Sequence, residues 1–302
     1  MKILITCPRT EISKKEFTDY FEINKLEYDF IFPEGQGFTS DQLKKIYQNQ
    51  EILIVGDDQI DQHFIKNAQS LKHIIKWGKG IDSIDHDFCK KNDINVFNSP
   101  GNLAKFVSEH ALSLTLSLLK KVKQNTNKIH EGHWYKDNSD TLFDKTVGFF
   151  GFGAIGHEIS KLLLPFNVNT IFYDIRQLEN KYEQVSLKDL FSRSDILYVT
   201  AELNEETKYA LDLDFFKMMK NSSYLINVSR GQIINESDLI FSLENNYLKG
   251  VGLDVLDVEP INPKNKLISF ENVLITCHNA SNTLEASRNV NLMILNKLRE
   301  LL

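Results

Sequence analysis

Arg230, Glu259 and His278 are residues whose types can hold an anion and move a proton, and each stands just past an apolar, strand-like segment. Arg230 follows residues 224–228, Glu259 lies in the loop after residues 250–254, and His278 follows residues 273–277. Singly, each has an ordinary explanation: a solvated surface arginine, a loop glutamate before Pro260, a histidine capping the next helix. Together they say more. The ligand crevice of a doubly wound sheet lies at the carboxyl ends of its strands, and independent surface charges have no reason to cluster on that edge. A guanidinium, a carboxylate and an imidazole could therefore all face one bound cofactor.

The cofactor is read from residues 145–174. Residues 146–150 are a β-branched and aromatic run that reads as a buried strand. It enters Gly151-Phe152-Gly153-Ala154-Ile155-Gly156, the G-x-G-x-x-G spacing. Ile155, Ile159, Leu162, Leu163 and Phe166 then recur at helical intervals, and a second strand at 170–173 ends in Asp174. That acid lies close to the ~20 residues expected after the glycines of a dinucleotide fingerprint. Gly151 would make the turn, Gly153 would let the pyrophosphate approach the backbone, and Gly156 would let helix pack on strand. With Ala154 and Ile155 they open a helix whose unpaired N–H groups suit phosphate. Asp174 would accept hydrogen bonds from both ribose hydroxyls and repel a 2′-phosphate, which favours NAD over NADP; the cation Arg176 works against that preference.

These residues need a scaffold. At 302 residues, two domains are expected. A hydrophobic fraction of 42% supports proper cores, and a net charge of −6 leaves no footprint for nucleic acid. Cys7, Cys89 and Cys277 are odd in number and scattered, so neither a disulfide frame nor a metal site is expected. The N-terminal MKILITCPR has too short an apolar run for a signal peptide and reads as a first strand. The apolar helix at 103–119 contains Lys105, Glu109 and His110, too interrupted to span a membrane. The expected location is the cytoplasm.

Strands are expected at 3–6, 28–32, 52–55, 73–77 and 95–97, with amphipathic stretches at 11–24 and 41–48 between them. After the glycine turn, further strands are expected at 170–173, 196–200, 224–228, 250–254 and 273–276. Such alternation implies parallel sheets with helices on both faces. Asn98-Ser99-Pro100-Gly101 breaks the pattern and reads as a hinge, followed by a long helix over 103–123 expected between the domains. A second crossing near 280–283 would send a last helix, with Leu284, Val290, Ile294 and Leu298 as its buried face, back to the first domain. The fold expected is α/β with two doubly wound parallel-sheet domains. A Rossmann NAD-binding domain (99–282) is inserted into a flavodoxin-like substrate domain (1–98 and 283–302), with cleft closure about the two crossings.

The chain resembles the D-isomer-specific 2-hydroxyacid dehydrogenases, over nearly its whole length and most strongly from 74 to 280. The motifs are Gly78-Lys79-Gly80-Ile81-Asp82 with Ile84-Asp85, NSPGNLAKFVSEH from Asn98 to His110, and Gly151 to Gly156. Then come Met219-Lys220, Leu225 to Gly231 (LINVSRG), Gly252 to Val255 (GLDV), Val258-Glu259-Pro260, and Thr276 with His278. Several motifs in the right order are far more specific than one.

The resemblance implies an NAD-dependent oxidoreductase acting on a D-2-hydroxy or 2-oxo acid. It implies that Arg230 grips the substrate carboxylate and polarises the keto oxygen, and that His278 protonates that oxygen as hydride arrives. Glu259 would orient the imidazole and favour its charged form. It implies that Asp254 holds the nicotinamide carboxamide, that backbone N–H groups at Lys79 and Gly80 bind the substrate carboxylate, and that the protein is a homodimer. Lys76 stands two residues before Gly78, where phosphoglycerate dehydrogenases of the family carry an arginine. A cation there could bind a phosphate or second carboxylate, which raises 3-phosphoglycerate beside lactate or glycerate; a lysine exposed at a strand end is the plain alternative.

Departures are visible too. Cys277 replaces the proline usual before the family histidine, losing a rigid φ; it reads as a buried small apolar residue, with an oxidation-sensitive thiol as the alternative. Thr200 replaces a common histidine, and Asn279-Ala280-Ser281 lacks the usual aromatic. A dinucleotide-sensing, corepressor-like interaction protein is the alternative from another class, since members of this fold family include corepressors. A methyltransferase on a similar sheet is a third reading, and gives no reason for the Arg–Glu–His set.

Overall fold

The computed structural model describes residues 1–98 and 103–301; the expected hinge, from Ser99 on, lies outside the described residues. The chain divides into two compact units, Met1–Leu103 with Asn282–Leu302, and Ala104–Ser281.

The first unit is built on five parallel strands: β1 (Lys2–Ile5), β2 (Glu27–Phe30), β3 (Ile52–Val55), β4 (His73–Lys76) and β5 (Asn95–Phe97), in the order β2-β1-β3-β4-β5. This is the flavodoxin-like order, with its switch point between β1 and β3. β3 reads Ile-Leu-Ile-Val and is buried at every position, as a central strand covered on both faces must be. Helices α1 (Lys14–Ile23), α2 (Ser40–Ile46), α3 (Gln62–Ile65) and α4 (His86–Lys91) form the crossovers. Their starts follow local chemistry: Thr39 and Gln42 make a capping box for α2, while Asp61 and Asp85 cap α3 and α4. The stretch expected as one helix from 11 is instead a 3₁₀ turn over Pro8–Ser13 that hands over to α1. Thr10 Oγ1 donates to the Cys7 carbonyl at 2.7 Å, a local bond that competes with a regular helix start.

The second unit opens with α5 (Ala104–Leu119) and α6 (Val122–His130). One helix over 103–123 was the expectation, and the chain breaks it at Lys121, which takes a left-handed conformation with φ 53°. The apolar stripe runs out there: α5 buries Ala111, Leu114 and Leu118, whereas α6 buries nothing. β6 (Thr146–Phe150), α7 (Ala154–Leu163), β7 (Asn169–Tyr173), the short β8 (Glu183–Gln184), α8 (Leu187–Arg193) and β9 (Ile196–Val199) follow. The unit continues with α9 (Leu213–Met218), β10 (Tyr224–Asn227), α10 (Glu236–Glu244), β11 (Gly250–Leu253) and β12 (Val273–Ile275). All seven strands run parallel in the order β12-β11-β10-β9-β6-β7-β8. The order reverses between β6 and β9, so the glycine turn after β6 opens at the switch point.

The sheet has a core on each face. On one, Ala111, Leu114 and Ile159 pack with Phe149, Phe172 and Tyr198; on the other, Leu190, Phe216 and Leu239 pack with Ile171, Leu197 and Leu225. Leu162, placed by periodicity on the buried face of α7, is 38% exposed, because Leu163 is the residue one turn from Ile159.

The last helix, α11 (Leu284–Leu301), belongs to the first unit. Val290, Ile294 and Leu298 form its buried stripe, but Leu284 is exposed, being the first residue of the helix. Fully buried Asn291 ties it down: Oδ1 accepts from Trp77 Nε1 at 3.1 Å, and Nδ2 donates to the Arg9 carbonyl at 3.0 Å. Among the described residues no helix is long and apolar enough to cross a membrane.

Candidate active site

The glycine turn is shaped by close approach. Gly151 has φ +84°, and a Cβ there would lie 2.4 Å from Ala201 Cα, so neither conformation nor space admits a side chain. Thr200 Oγ1 donates to the Gly151 carbonyl at 2.5 Å and ties the turn to the end of β9. Gly153, at the cap of α7, differs: a Cβ there would meet nothing within 4 Å, and no side chain caps the helix. The first-turn N–H groups at Ala154 and Ile155 therefore have no side-chain cap and are left for a phosphate, as a pyrophosphate site requires. Asp174 follows β7. Its Oδ2 accepts from Phe152 N at 3.0 Å, and Arg176 grips both oxygens, Nε to Oδ1 at 3.0 Å and Nη2 to Oδ2 at 3.2 Å. Burial pushes this carboxyl up, but the donors from Arg176 and Phe152 together outweigh it and hold Asp174 below the usual carboxylate range.

Arg230, Glu259 and His278 follow β10, β11 and β12, three neighbouring parallel strands, so the ladder brings them to one edge. His278 Nδ1 and Glu259 Oε2 are 2.8 Å apart, and Glu259 Oε1 accepts from Leu256 N at 2.9 Å. The carboxylate is therefore oriented from behind while it orients the ring. Arg230 Nη1 donates to the Ser229 carbonyl at 2.8 Å, and Asn227 Nδ2 to the Arg230 carbonyl at 2.9 Å. Gly231 lets the Arg230 loop close on the Glu259 loop: a Cβ there would fall 1.8 Å from the Leu256 carbonyl carbon. Gln232 Nε2 adds a bond to the Asp257 carbonyl at 2.6 Å.

His278 is held in the left-handed region at φ +52°, a conformation that costs a non-glycine residue roughly 1 kcal/mol or more and persists only when its surroundings dictate it. Asp254 supplies the constraint. Its carbonyl accepts from His278 N at 2.7 Å, Oδ1 from Asn279 N at 2.7 Å and Thr276 Oγ1 at 2.6 Å, and Oδ2 from Ala280 N at 2.9 Å. From α5, His110 Nε2 lies 3.0 Å from Thr276 Oγ1 and 3.3 Å from Asp254 Oδ1. Burial raises the Asp254 pKa, and these donors more than reverse that, bringing it down to about 2. Cys277, read as buried, is exposed: the sheet ends with Thr276 N on the Leu253 carbonyl, and the turned chain beyond leaves the thiol outside the core.

In the first unit, Lys76 departs from the reading as a substrate-binding cation. Its side chain is only 6% exposed, and Nζ donates to Asp57 Oδ1 and to the Trp77 carbonyl, both at 3.0 Å. A lysine this buried needs a counter-charge, and Asp57, brought alongside by the β3–β4 pairing, provides it. Lys79 and Gly80 lie in the loop after β4, where Asn98 Nδ2 donates to the Lys79 carbonyl at 2.7 Å.

Residues 112–280 match the model of the D-isomer specific 2-hydroxyacid dehydrogenase, NAD binding domain. The chain belongs to this family. A hydroxypyruvate reductase from Thermotoga maritima is 33% identical over 91% of this chain and 92% of its own length. A D-3-phosphoglycerate dehydrogenase from Archaeoglobus fulgidus is 30% identical over 97% of this chain but only 56% of its own length. Among solved structures, an NAD-dependent formate dehydrogenase from Staphylococcus aureus in complex with NAD superposes with a TM-score of 0.88 at 28% identity, covering 100% of this chain and 95% of that one.

This D-2-hydroxyacid dehydrogenase is thus an NAD-dependent oxidoreductase, and its glycine turn, open helix N-terminus and buried acid after β7 fit the dinucleotide. Sequence reading passed over His110 as a polar interruption of an apolar helix. Its partner Thr276 is 166 residues away, and only packing of α5 on the sheet reveals the pair.

Proposed function

We propose that the dehydrogenase reduces a small, unphosphorylated 2-oxo acid, such as glyoxylate or hydroxypyruvate, to the corresponding 2-hydroxy acid with NADH, the D form where the product is chiral. The observation that carries this reading is the 2.8 Å contact of His278 Nδ1 with Glu259, on the strand edge that also bears Arg230. With Nδ1–H donated to Glu259, Nε2 is the ring nitrogen that gives a proton to the carbonyl oxygen during reduction and takes it back in reverse. Arg230 pairs with the substrate carboxylate. Asp174 receives the ribose hydroxyls, and Asp254 the nicotinamide carboxamide. The bound nicotinamide supplies the hydride.

Oxidation of formate to carbon dioxide releases a hydride without moving a hydroxyl proton, so an oriented His–Glu pair favours a hydroxy acid. Lys76 is buried and spends its ammonium on Asp57 and the Trp77 carbonyl instead of presenting it to a ligand, which favours an unphosphorylated acid over 3-phosphoglycerate. A spectrophotometric screen of 2-oxo acids with NADH and NADPH, 3-phosphohydroxypyruvate included and formate tested with NAD, decides the matter. Oxidation of NADH by glyoxylate or hydroxypyruvate is expected. Preference for the phosphorylated acid or for formate would overturn the substrate class. Tight NADH binding without turnover of any acid would instead support a dinucleotide sensor.

A homodimer is part of this reading, supported by the large apolar side chains that α6 and the following segment leave exposed: Val122, Ile129, Trp134, Tyr135 and Phe143. Sedimentation equilibrium should return twice the chain mass, and Trp134→Ser with Tyr135→Ser should shift it toward one chain. A wild-type monomer at micromolar concentration would refute the assembly.

A further inference from the structure

We propose that His110 is a positioning residue for the acid–base at His278, acting through Thr276 and Asp254; this rests on the reading of His278 given above. The direction of each hydrogen bond can be worked out. Asp254, with its pKa near 2, is a carboxylate that only accepts. Thr276 has one hydroxyl proton, and at 2.6 Å it goes to Asp254 Oδ1. Thr276 Oγ1 must therefore accept at its 3.0 Å contact with His110 Nε2, and so must Asp254 Oδ1 at 3.3 Å. His110 carries its proton on Nε2 whether the ring is neutral or charged, and donates it to both.

This chain of donors has a mechanical consequence. Asp254 receives the backbone N–H groups of three successive residues, His278, Asn279 and Ala280, through its carbonyl and its two carboxylate oxygens. That grip holds His278 at its positive φ and so aims the imidazole that meets Glu259. His110 and Thr276 fix the carboxylate's rotation from the helix side. His110 is partly buried and Asp254 almost wholly so, so water replaces the lost donor poorly. Without it the carboxylate can rotate, and the 276–280 segment relaxes from its strained turn.

The test replaces His110 in the full-length enzyme with phenylalanine, which keeps the ring volume without the donor, and with glutamine, whose Nε2–H₂ reaches toward the position of the histidine Nε2. His110→Phe should lower kcat on the order of 10-fold to 100-fold, the range for a misplaced reacting group, with NADH affinity falling far less, because only the carboxamide end of the dinucleotide is assigned to Asp254. His110→Gln should restore kcat to within about threefold of wild type. Thr276→Val should lower kcat as His110→Phe does, and the double variant should lose no more than either alone, as links of one chain do. If His110→Phe does not fold, His110→Asn, whose amide stops short of Thr276, takes its place. Wild-type kcat in the donor-less variant, failure of glutamine to restore it, or multiplied losses in the double variant would overturn the proposal. His278→Ala separates this idea from the one beneath it. An active His278→Ala sinks the acid–base reading itself, whereas an inactive one beside an unaffected His110→Phe sinks only the positioning role.

Discussion

His278→Ala is expected to lower kcat by roughly 10²- to 10⁴-fold, the usual contribution of a positioned general acid, while NADH binding followed by its fluorescence changes by less than about threefold. The split follows from where the side chain stands. In the proposed site the phosphates and ribose of the dinucleotide meet the turn at Gly151–Gly156 and Asp174, which lie across the strand order from β12 and do not touch the imidazole. The imidazole is bound through Nδ1 to Glu259, and its removal leaves the Glu259 carboxylate still anchored by Leu256 N. Loss of the proton donor should therefore appear in turnover and not in cofactor affinity. A fully active alanine variant would remove His278 from the mechanism, and with it the reason for the Glu259 contact.

Arg230→Lys should raise KM for the 2-oxo acid on the order of 10-fold and lower kcat by a similar factor, because an ammonium cannot present the planar fork that pairs with a carboxylate. Both constants are expected to move because, in the proposed role, the same guanidinium binds the carboxylate in the ground state and stabilises the charge gathering on the carbonyl oxygen. The backbone should not adjust to help the shorter reach of a lysine. It is pinned by the Asn227 side chain on the Arg230 carbonyl and by the contact that only a glycine at 231 permits. Steady-state kinetics over a range of acid concentrations reads both constants, and unchanged values would refute the role.

Much of this was legible in the chain. Buried parallel strands are continuous apolar runs, so β3, β7, β9, β10 and β12 stand out one by one, and Asp174, Arg230 and His278 are each placed by following one of them. Two-residue β8 carries no such run, since an edge strand has little to bury. The break at Lys121 was missed because 103–119 and 120–130 are both compatible with helix, and only the loss of a surface to pack against separates them.

The sequence by itself determined the local quantities: hydrophobic period, the glycine turn and its acid, and the order in which Arg230, Glu259 and His278 leave their strands. These depend on residues within a turn or a strand of one another. Tertiary structure decided which polar groups spend their charge on a distant partner. Lys76 is matched to Asp57 across the strand pairing, His110 to Thr276 across a helix–sheet contact, and Cys277, just past the end of β12, is exposed. The physical reason is that a buried charge or donor takes whatever complementary group the packing brings within about 3 Å, and spacing along the chain carries no record of that neighbour.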